Sequence, residues 1–412
     1  MAAAPPITVS SPDGRVRIEF DLSRAGDDNK VPRYRVLFRD TEVIGPSRLG
    51  IVLGDESTLG GPCEVAAVET HSRHETYEQF PGKRRKVTDH CAEAVIRLRE
   101  LAGINRKWEI VVRAYDDGVA FRYRFPAQPG WDKLVIAREQ TEFSVPPAAR
   151  AFALPLNGFT TSYEKLYQVT PAGELPKDWL LGLPLLLEYR GGVWAGITEA
   201  NVTEYAGLYL APAGGGNLAA RLSPLPNEPK VAVRAALPGV SPWRVVMVGD
   251  RVGRLIESDL VLNLSAPRAI EDTSWIKPGK TTFPWWNGYY EENVAFKPGL
   301  NTPTMKHYID FCAEAGIPYH SLDGLGNTAW YSGPIVPYEG APPTKAVAGL
   351  DLPEVLKHAN AKGVRLRLWM HWKAAESHMQ RAFPLYREWG IEGVMLDFMD
   401  RDDQEMNAFV RQ

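Results

Sequence analysis

From Ile7 to about Ile270 apolar and polar positions alternate with a period of two. Val16, Ile18 and Phe20 alternate with Arg17 and Glu19 just after the turn Pro12-Asp13-Gly14. The runs Trp108–Tyr115 and Val119–Phe125 flank a second turn, Asp116-Asp117-Gly118. Asp-Gly between two alternating runs predicts a β-hairpin, because the glycine takes a positive φ without steric cost. Further strands are predicted at 184–189, 193–198, 231–236 and 243–248, with turn residues between them and no sustained helical period. About 260 residues of this character predict a large antiparallel sandwich.

The period changes near residue 273. A short apolar run, Phe283-Pro-Trp-Trp-Asn287, precedes an amphipathic segment from Met305 to Ala315 that Gly316 closes as a helix stop. A strand is predicted over Ile317–Asp323, a helix over Leu352–Ala361 ending at Gly363, and a strand over Val364–Trp372. A helix over Ser377–Trp389 stops at Gly390, a strand covers Gly393–Phe398, and a last helix begins at Gln404. Alternating β and α units of this length predict parallel strands joined by crossovers. Four such units fill about 140 residues, whereas a closed (β/α)₈ TIM barrel takes roughly 250. No G-x-G-x-x-G follows any strand, and the acids stand at strand C-termini, as in a barrel and unlike a dinucleotide fold. The expectation is a sandwich domain over 1–272, followed over 273–412 by the first half of a (β/α)₈ barrel.

Composition narrows the function classes. The 412 residues are 44% apolar and 24% charged, with 47 basic against 50 acidic side chains and a net charge of -3. Such a chain buries enough surface to fold, and it carries no basic footprint for nucleic acid or anionic lipid. No apolar run is long enough for a membrane span. Cys63, Cys91 and Cys312 show no C-x-x-C spacing; one disulfide or three small core residues both fit. The start Met1-Ala-Ala-Ala-Pro-Pro has no charged or apolar leader region, so no intact signal peptide is expected in this chain. It fits either a stub left at a cleavage site or a plain flexible end.

Asp397 is the sharpest chemical candidate. It stands in Val394-Met-Leu-Asp-Phe-Met399, at the end of the fourth predicted strand. An acid inside an apolar run is costly to bury unless it is paired, hydrogen-bonded or used. A helix cap or an ion pair with Arg401 explains it as well as chemistry does. Retaining glycosidases need one ionised carboxylate and a second, protonated one about 5–5.5 Å away. Asp400, Asp402, Asp403 and Glu405 are nearby, and their position at a helix start makes them caps first. Asp323 ends the second strand before Gly324-Leu-Gly-Asn327, where an acid suits either sugar hydroxyls or an Asx-turn. Twelve tryptophans include Trp285, Trp286, Trp330, Trp369 and Trp372, all at or just after predicted strand C-termini. Indole faces stack on sugar rings, and about half of these rings are expected in the core instead. His371 is read as a substrate contact or a structural histidine. Metal spacing is weak: Glu164 and Glu199 sit in strand-like surroundings, each a surface acid or a ligand.

Taken in order, several segments resemble glycoside hydrolase family 97. They are Ser11-Pro-Asp-Gly14, Gly45–Gly50, Gly82-Lys-Arg84, Tyr115–Tyr123, Ile197-Thr-Glu-Ala200, Thr273–Pro278 and Val394–Gln404. The resemblance implies an N-terminal β-super-sandwich, a catalytic (β/α)₈ barrel, hydrolysis of α-glucosides or α-galactosides, an active-site calcium ion and a periplasmic or secreted location. Asp397 matches the strand-four carboxylate of the retaining branch, which implies a nucleophile and favours α-galactosidase over α-glucosidase. Glu164, in Tyr-Glu-x-x-Tyr, resembles the one calcium ligand that the sandwich supplies. Asp323 falls where the family often has Glu in Glu-Gly-Trp; here the segment is Asp-Gly-Leu. No residue in this span matches the acid/base glutamate or the other calcium ligands, so residues 1–412 alone are expected to be inactive.

The leading expectation is thus an exo-acting retaining α-glycosidase acting on an oligosaccharide or α-glycoside, with Asp397 as nucleophile, substrate contacts at Asp323, Trp285, Trp369 and His371, and calcium at Glu164. The alternative is a non-catalytic carbohydrate-binding protein with a vestigial barrel. The sequence sets no oligomeric state.

Overall fold

The structure is a computed structural model and describes residues 5–24, 30–336 and 341–412. It contains two compact units, Met1–Glu271 together with Asp400–Gln412, and Asp272–Met399. The last thirteen positions group with the first unit because their backbone and side chains bond there. Thr161 N donates to Asp400 O at 2.7 Å and Gly207 N to Asp402 O at 2.8 Å.

Among the described residues the first unit pairs its strands into a 17-stranded sheet and a four-stranded sheet. Both predicted Asp-Gly turns join antiparallel neighbours: Ile7–Ser10 pairs with Val16–Arg24, and Lys107–Tyr115 with Gly118–Phe125. The alternation decides which face is dry. Val16, Ile18 and Phe20 are buried, as are Trp108, Phe121, Tyr123, Phe125 and Phe143. The ring of Tyr34 packs on Phe121 with centroids 4.7 Å apart. Such rings bury large apolar areas, and their removal costs about 3–5 kcal/mol each. Cys63, Cys91 and Cys312 are buried, unpaired thiols.

This unit also buries charge. Arg244, on strand Trp243–Gly249, is fully buried; its guanidinium donates to Glu139 at 2.5 Å and to Glu199 at 2.6 Å. Tyr205 and Thr141 hydroxyls donate to the same Glu139 carboxylate, at 3.1 and 2.9 Å. Glu199 accepts from Leu208 N at 2.9 Å. Burial works against the charge on Arg244, and the two carboxylates outweigh it, holding its pKa above the ordinary value. Glu199 is therefore not a solvated surface acid but half of the counter-charge for a buried arginine.

The second unit is built from parallel strands in sequence order: β1 (Thr281–Thr282), β2 (Tyr319–Leu322), β3 (Arg365–His371) and β4 (Gly393–Asp397). Helices α1 (Thr302–Ala315), α2 (Leu352–Lys362) and α3 (Trp372–Glu388) connect them. Asn301 and Asp351 cap the first two through their side chains, and Gly316 and Gly363 end them in the left-handed conformation. The apolar run at Phe283 is not a strand: Pro284–Asn287 forms a single 3₁₀ turn, since proline suits a helical first position and supplies no N–H to a ladder. Helix α3 starts five residues earlier than its pattern predicts, because the His371 side chain accepts from Lys373 N and caps it. The last helix, α4 (Gln404–Arg411), belongs to the first unit.

Candidate functional site

In parallel α/β sheets the C-terminal strand ends carry the chemistry, because the loops that follow diverge there and leave backbone groups exposed. Asp397 is the last residue of β4 and pairs in register with His371 at the end of β3. Its carboxylate is half-buried, and both oxygens accept N–H donors. Trp369 Nε1 donates to Oδ2 at 3.0 Å, and Phe398 N donates to Oδ1 at 2.7 Å. Two donors fix the plane of the group. Arg401 lies with Asp403 at 3.3 Å, and Asp403 caps α4 through Glu405 N and Met406 N.

The residue after Asp397 is strained. Phe398 sits at φ 66°, in the left-handed region that non-glycine residues seldom adopt. Its ring stacks on His371 at 5.3 Å and meets Trp369 edge-on at 6.0 Å. These contacts place the Asp397–Phe398 peptide N–H against the carboxylate.

Asp323 directly follows β2 and is buried. Oδ1 accepts from Gly324 N at 2.9 Å, while Oδ2 is buried without a hydrogen-bond partner. Burial pushes its pKa up to about 6, with the Asp397 charge adding to the rise and Gly324 N–H and Arg367 opposing it. Two tyrosine hydroxyls of this unit, on Tyr289 and Tyr331, are likewise buried without a partner. Tyr289 interacts electrostatically with Asp323, and Tyr331 stacks on Trp369 with centroids 6.4 Å apart. Buried polar atoms left unpaired are costly, and the usual reasons for keeping them are strain, water or a ligand. Nothing in the spacing of Tyr289 or Tyr331 marks them out in the sequence, so reasoning from pattern misses both.

The aromatic candidates separate by exposure. Trp285 and Trp286 are 47% and 83% exposed, presenting indole faces beside the first strand. Trp369 is buried and spends its N–H on Asp397, so it orients the carboxylate where the sequence suggested a stacking platform. Trp330 is buried and its indole N–H donates to the backbone carbonyl of Trp369 at 2.7 Å. His371 is buried, with Nδ1 accepting from Lys373 N at 3.1 Å and its ring against Phe398. A histidine so placed shapes the wall of the site.

Glu164 lies in the first unit, exposed, in the loop between strands Arg150–Leu156 and Gln168–Pro171 and not in a strand. Calcium takes six to eight oxygen ligands, several of them carboxylate. No group of three or more His, Cys, Asp or Glu side chains that could hold a metal occurs among the described residues. Those residues do not by themselves make up a calcium site, and no chemistry below is routed through one.

Comparison with known proteins agrees with these features. The family description "Glycosyl-hydrolase 97 N-terminal" matches residues 9–267, and "Glycoside hydrolase 97" matches residues 285–412. A retaining alpha-galactosidase of Bacteroides thetaiotaomicron is 30% identical over 98% of this chain and 61% of its own. A probable retaining alpha-galactosidase of Streptomyces bingchenggensis is 29% identical over 97% of this chain and 58% of its own. The chain thus spans about three fifths of the length of the curated relatives it matches. A family 97 enzyme from Pseudoalteromonas sp. strain K8, solved with acarbose, superposes with a TM-score of 0.87 at 26% identity, over 98% of this chain and 63% of that one.

Proposed function

Since the chain belongs to glycoside hydrolase family 97, we propose that the full-length protein is an exo-acting retaining α-glycoside hydrolase, with α-galactosides favoured over α-glucosides. The observation that carries this is the Asp397 carboxylate at the end of β4, held by the Trp369 indole and the Phe398 amide. The strands β1 to β4 are proposed as the first half of a (β/α)₈ barrel, with this carboxylate at its C-terminal face.

In this reading Asp397 attacks the anomeric carbon, and the leaving oxygen is protonated by a second carboxylic acid. Asp402 and Asp403 are engaged elsewhere, one between tyrosines and one as a helix cap, and neither is assigned that role. Because Trp369 and Phe398 orient Asp397 before substrate arrives, the nucleophile pays little ordering entropy at the moment of attack. Asp323 Oδ2 accepts a sugar hydroxyl, which gives that buried oxygen the partner it otherwise lacks. The Tyr289 and Tyr331 hydroxyls supply further polar contacts, and Trp285 offers an exposed face for the ring. A galactoside and a glucoside differ in one hydroxyl orientation, so the favoured sugar rests on the named relatives and not on these contacts. A periplasmic or secreted location goes with an oligosaccharide substrate met outside the cytoplasm.

The test is turnover of p-nitrophenyl α-galactoside and α-glucoside by the full-length protein, with the anomer of the first product read by NMR. Retention in the wild type and loss of turnover in Asp397→Ala support the proposal. Wild-type turnover in that variant refutes the nucleophile, and binding without any turnover in the wild type favours a carbohydrate-binding protein instead.

A further inference from the structure

Phe398 occupies a backbone position that glycine fills by default. At φ 66° a Cβ crowds the following carbonyl oxygen, and glycine alone stands there without penalty. For any other residue the penalty is about 5- to 150-fold in population, so the conformation persists only where its surroundings over-determine it. The Phe398 ring makes two contacts that can do so. His371 lies with its centroid 5.3 Å away and its plane 17° from parallel, and Trp369 meets the ring edge-on at 6.0 Å. One aromatic contact offsets about two- to tenfold, so a single ring falls short over most of that range and the two together match it.

His371 is itself fixed in place. It ends β3 in register with Asp397, it is buried, and its Nδ1 accepts from Lys373 N at 3.1 Å as the cap of α3. Its ring also lies near-parallel to Trp372, with centroids 6.2 Å apart. A ring held this way stays put when its neighbour relaxes. Without it, Phe398 relaxes toward negative φ, and the turning peptide carries its N–H away from Asp397 Oδ1, to which it now donates at 2.7 Å. All of these residues belong to the second unit.

We propose that His371 is a positioning residue for the nucleophile: its ring holds Phe398 in the left-handed conformation whose amide orients Asp397. This rests on the reading of Asp397 as nucleophile. The role needs a flat ring and no proton transfer, and it acts on the attack and not on the grip on the sugar. It also makes position 398 peculiar. A side chain without a ring suffers the strain with nothing to offset it, whereas glycine has no strain to offset.

The experiment compares His371→Asn, Phe398→Ala, Phe398→Gly, the double variant His371→Asn/Phe398→Gly and Asp397→Ala in the full-length protein. Asparagine at 371 still caps α3, so it deletes the ring and keeps the helix start. Measured are kcat on p-nitrophenyl α-galactoside or α-glucoside, whichever the wild type hydrolyses, inhibition by the matching free sugar, and the thermal unfolding profile. His371→Asn is expected to lose about three- to tenfold in kcat, the worth of one ring contact, with the inhibition constant within about twofold of wild type. Phe398→Ala, which loses both contacts, should fall further. Phe398→Gly should recover at least about fivefold over the alanine variant, and adding His371→Asn to it should cost nothing more. Wild-type kcat in His371→Asn, beside an inactive Asp397→Ala, overturns this proposal alone. So does a free sugar that binds His371→Asn more weakly in proportion to the lost turnover, which assigns the histidine to the substrate. A double variant slower than Phe398→Gly overturns it too, since His371 then acts on something other than Phe398. If His371→Asn does not fold, position 398 decides: equal kcat in the alanine and glycine variants overturns the proposal. Full turnover by Asp397→Ala removes the nucleophile reading, and this proposal with it.

Discussion

Replacing Asp323 with asparagine removes a proton-binding group that folding makes more basic. In the unfolded chain its carboxyl titrates near 3.8, and in the folded protein near 6. The folded state therefore holds this proton more tightly than the unfolded state does. Below pH 3.8 both states are protonated and the residue contributes no difference; between 3.8 and about 6 the folded state loses ground as the unfolded carboxylate ionises first. Above pH 6 the full cost is present. Each pKa unit is worth 1.36 kcal/mol, so the cost at pH 7 is on the order of 3 kcal/mol. The amide in Asp323→Asn cannot ionise and escapes it. Urea unfolding of the full-length protein and the variant, run at pH 4, 5, 6 and 7, should show similar stabilities at the acid end. The variant should gain progressively toward neutral pH, by up to about 3 kcal/mol. The same variant should lose turnover, since the group that meets the sugar hydroxyl changes. A stability difference that stays flat with pH, or grows in the opposite direction, refutes the assignment of a buried, poorly solvated carboxyl at the end of β2.

Two further outcomes follow from single contacts. Trp369→Phe keeps a ring against Tyr331 and deletes the N–H that reaches Asp397. A hydrogen bond to a charged group is worth about 1.5–3 kcal/mol, so kcat should fall by about one to two orders of magnitude, and the smaller buried ring should lower the unfolding midpoint as well. Arg244→Met leaves Glu139 buried without its cation, and denaturant titration should show a loss of about 3–5 kcal/mol; a loss under 1 kcal/mol would mean the network is not dry.

What the sequence made legible follows from periodicity. Alternation and Asp-Gly turns place the hairpins of the first unit, since side chains of a strand point to opposite faces and the dry face must be apolar. Glycine stops place α1 and α2 within a residue or three of their ends. Single local bonds escape this logic. The early start of α3 depends on one His371 ring nitrogen, and the 3₁₀ turn at Pro284 on a missing N–H. The carboxylate of Asp397 was visible as an acid in an apolar strand, but its partner Trp369 looked like a sugar platform until the indole N–H could be seen pointing at Oδ2. Glu199 reads as an isolated acid because the arginine it pairs with, Arg244, is distant in sequence. Tyr289 and Tyr331 became candidates only through what their hydroxyls lack.

The central claim, that Asp397 forms a covalent bond to the sugar, is met most directly by trapping that bond. A fluorinated α-galactosyl fluoride of the kind that accumulates glycosyl-enzyme intermediates is incubated with the full-length protein, and the labelled peptide is sequenced by mass spectrometry. The account predicts one glycosyl adduct, on the peptide containing Val394–Met399 and located at Asp397, formed in step with loss of activity. An adduct on any other residue, or activity that persists through complete labelling of Asp397, contradicts it.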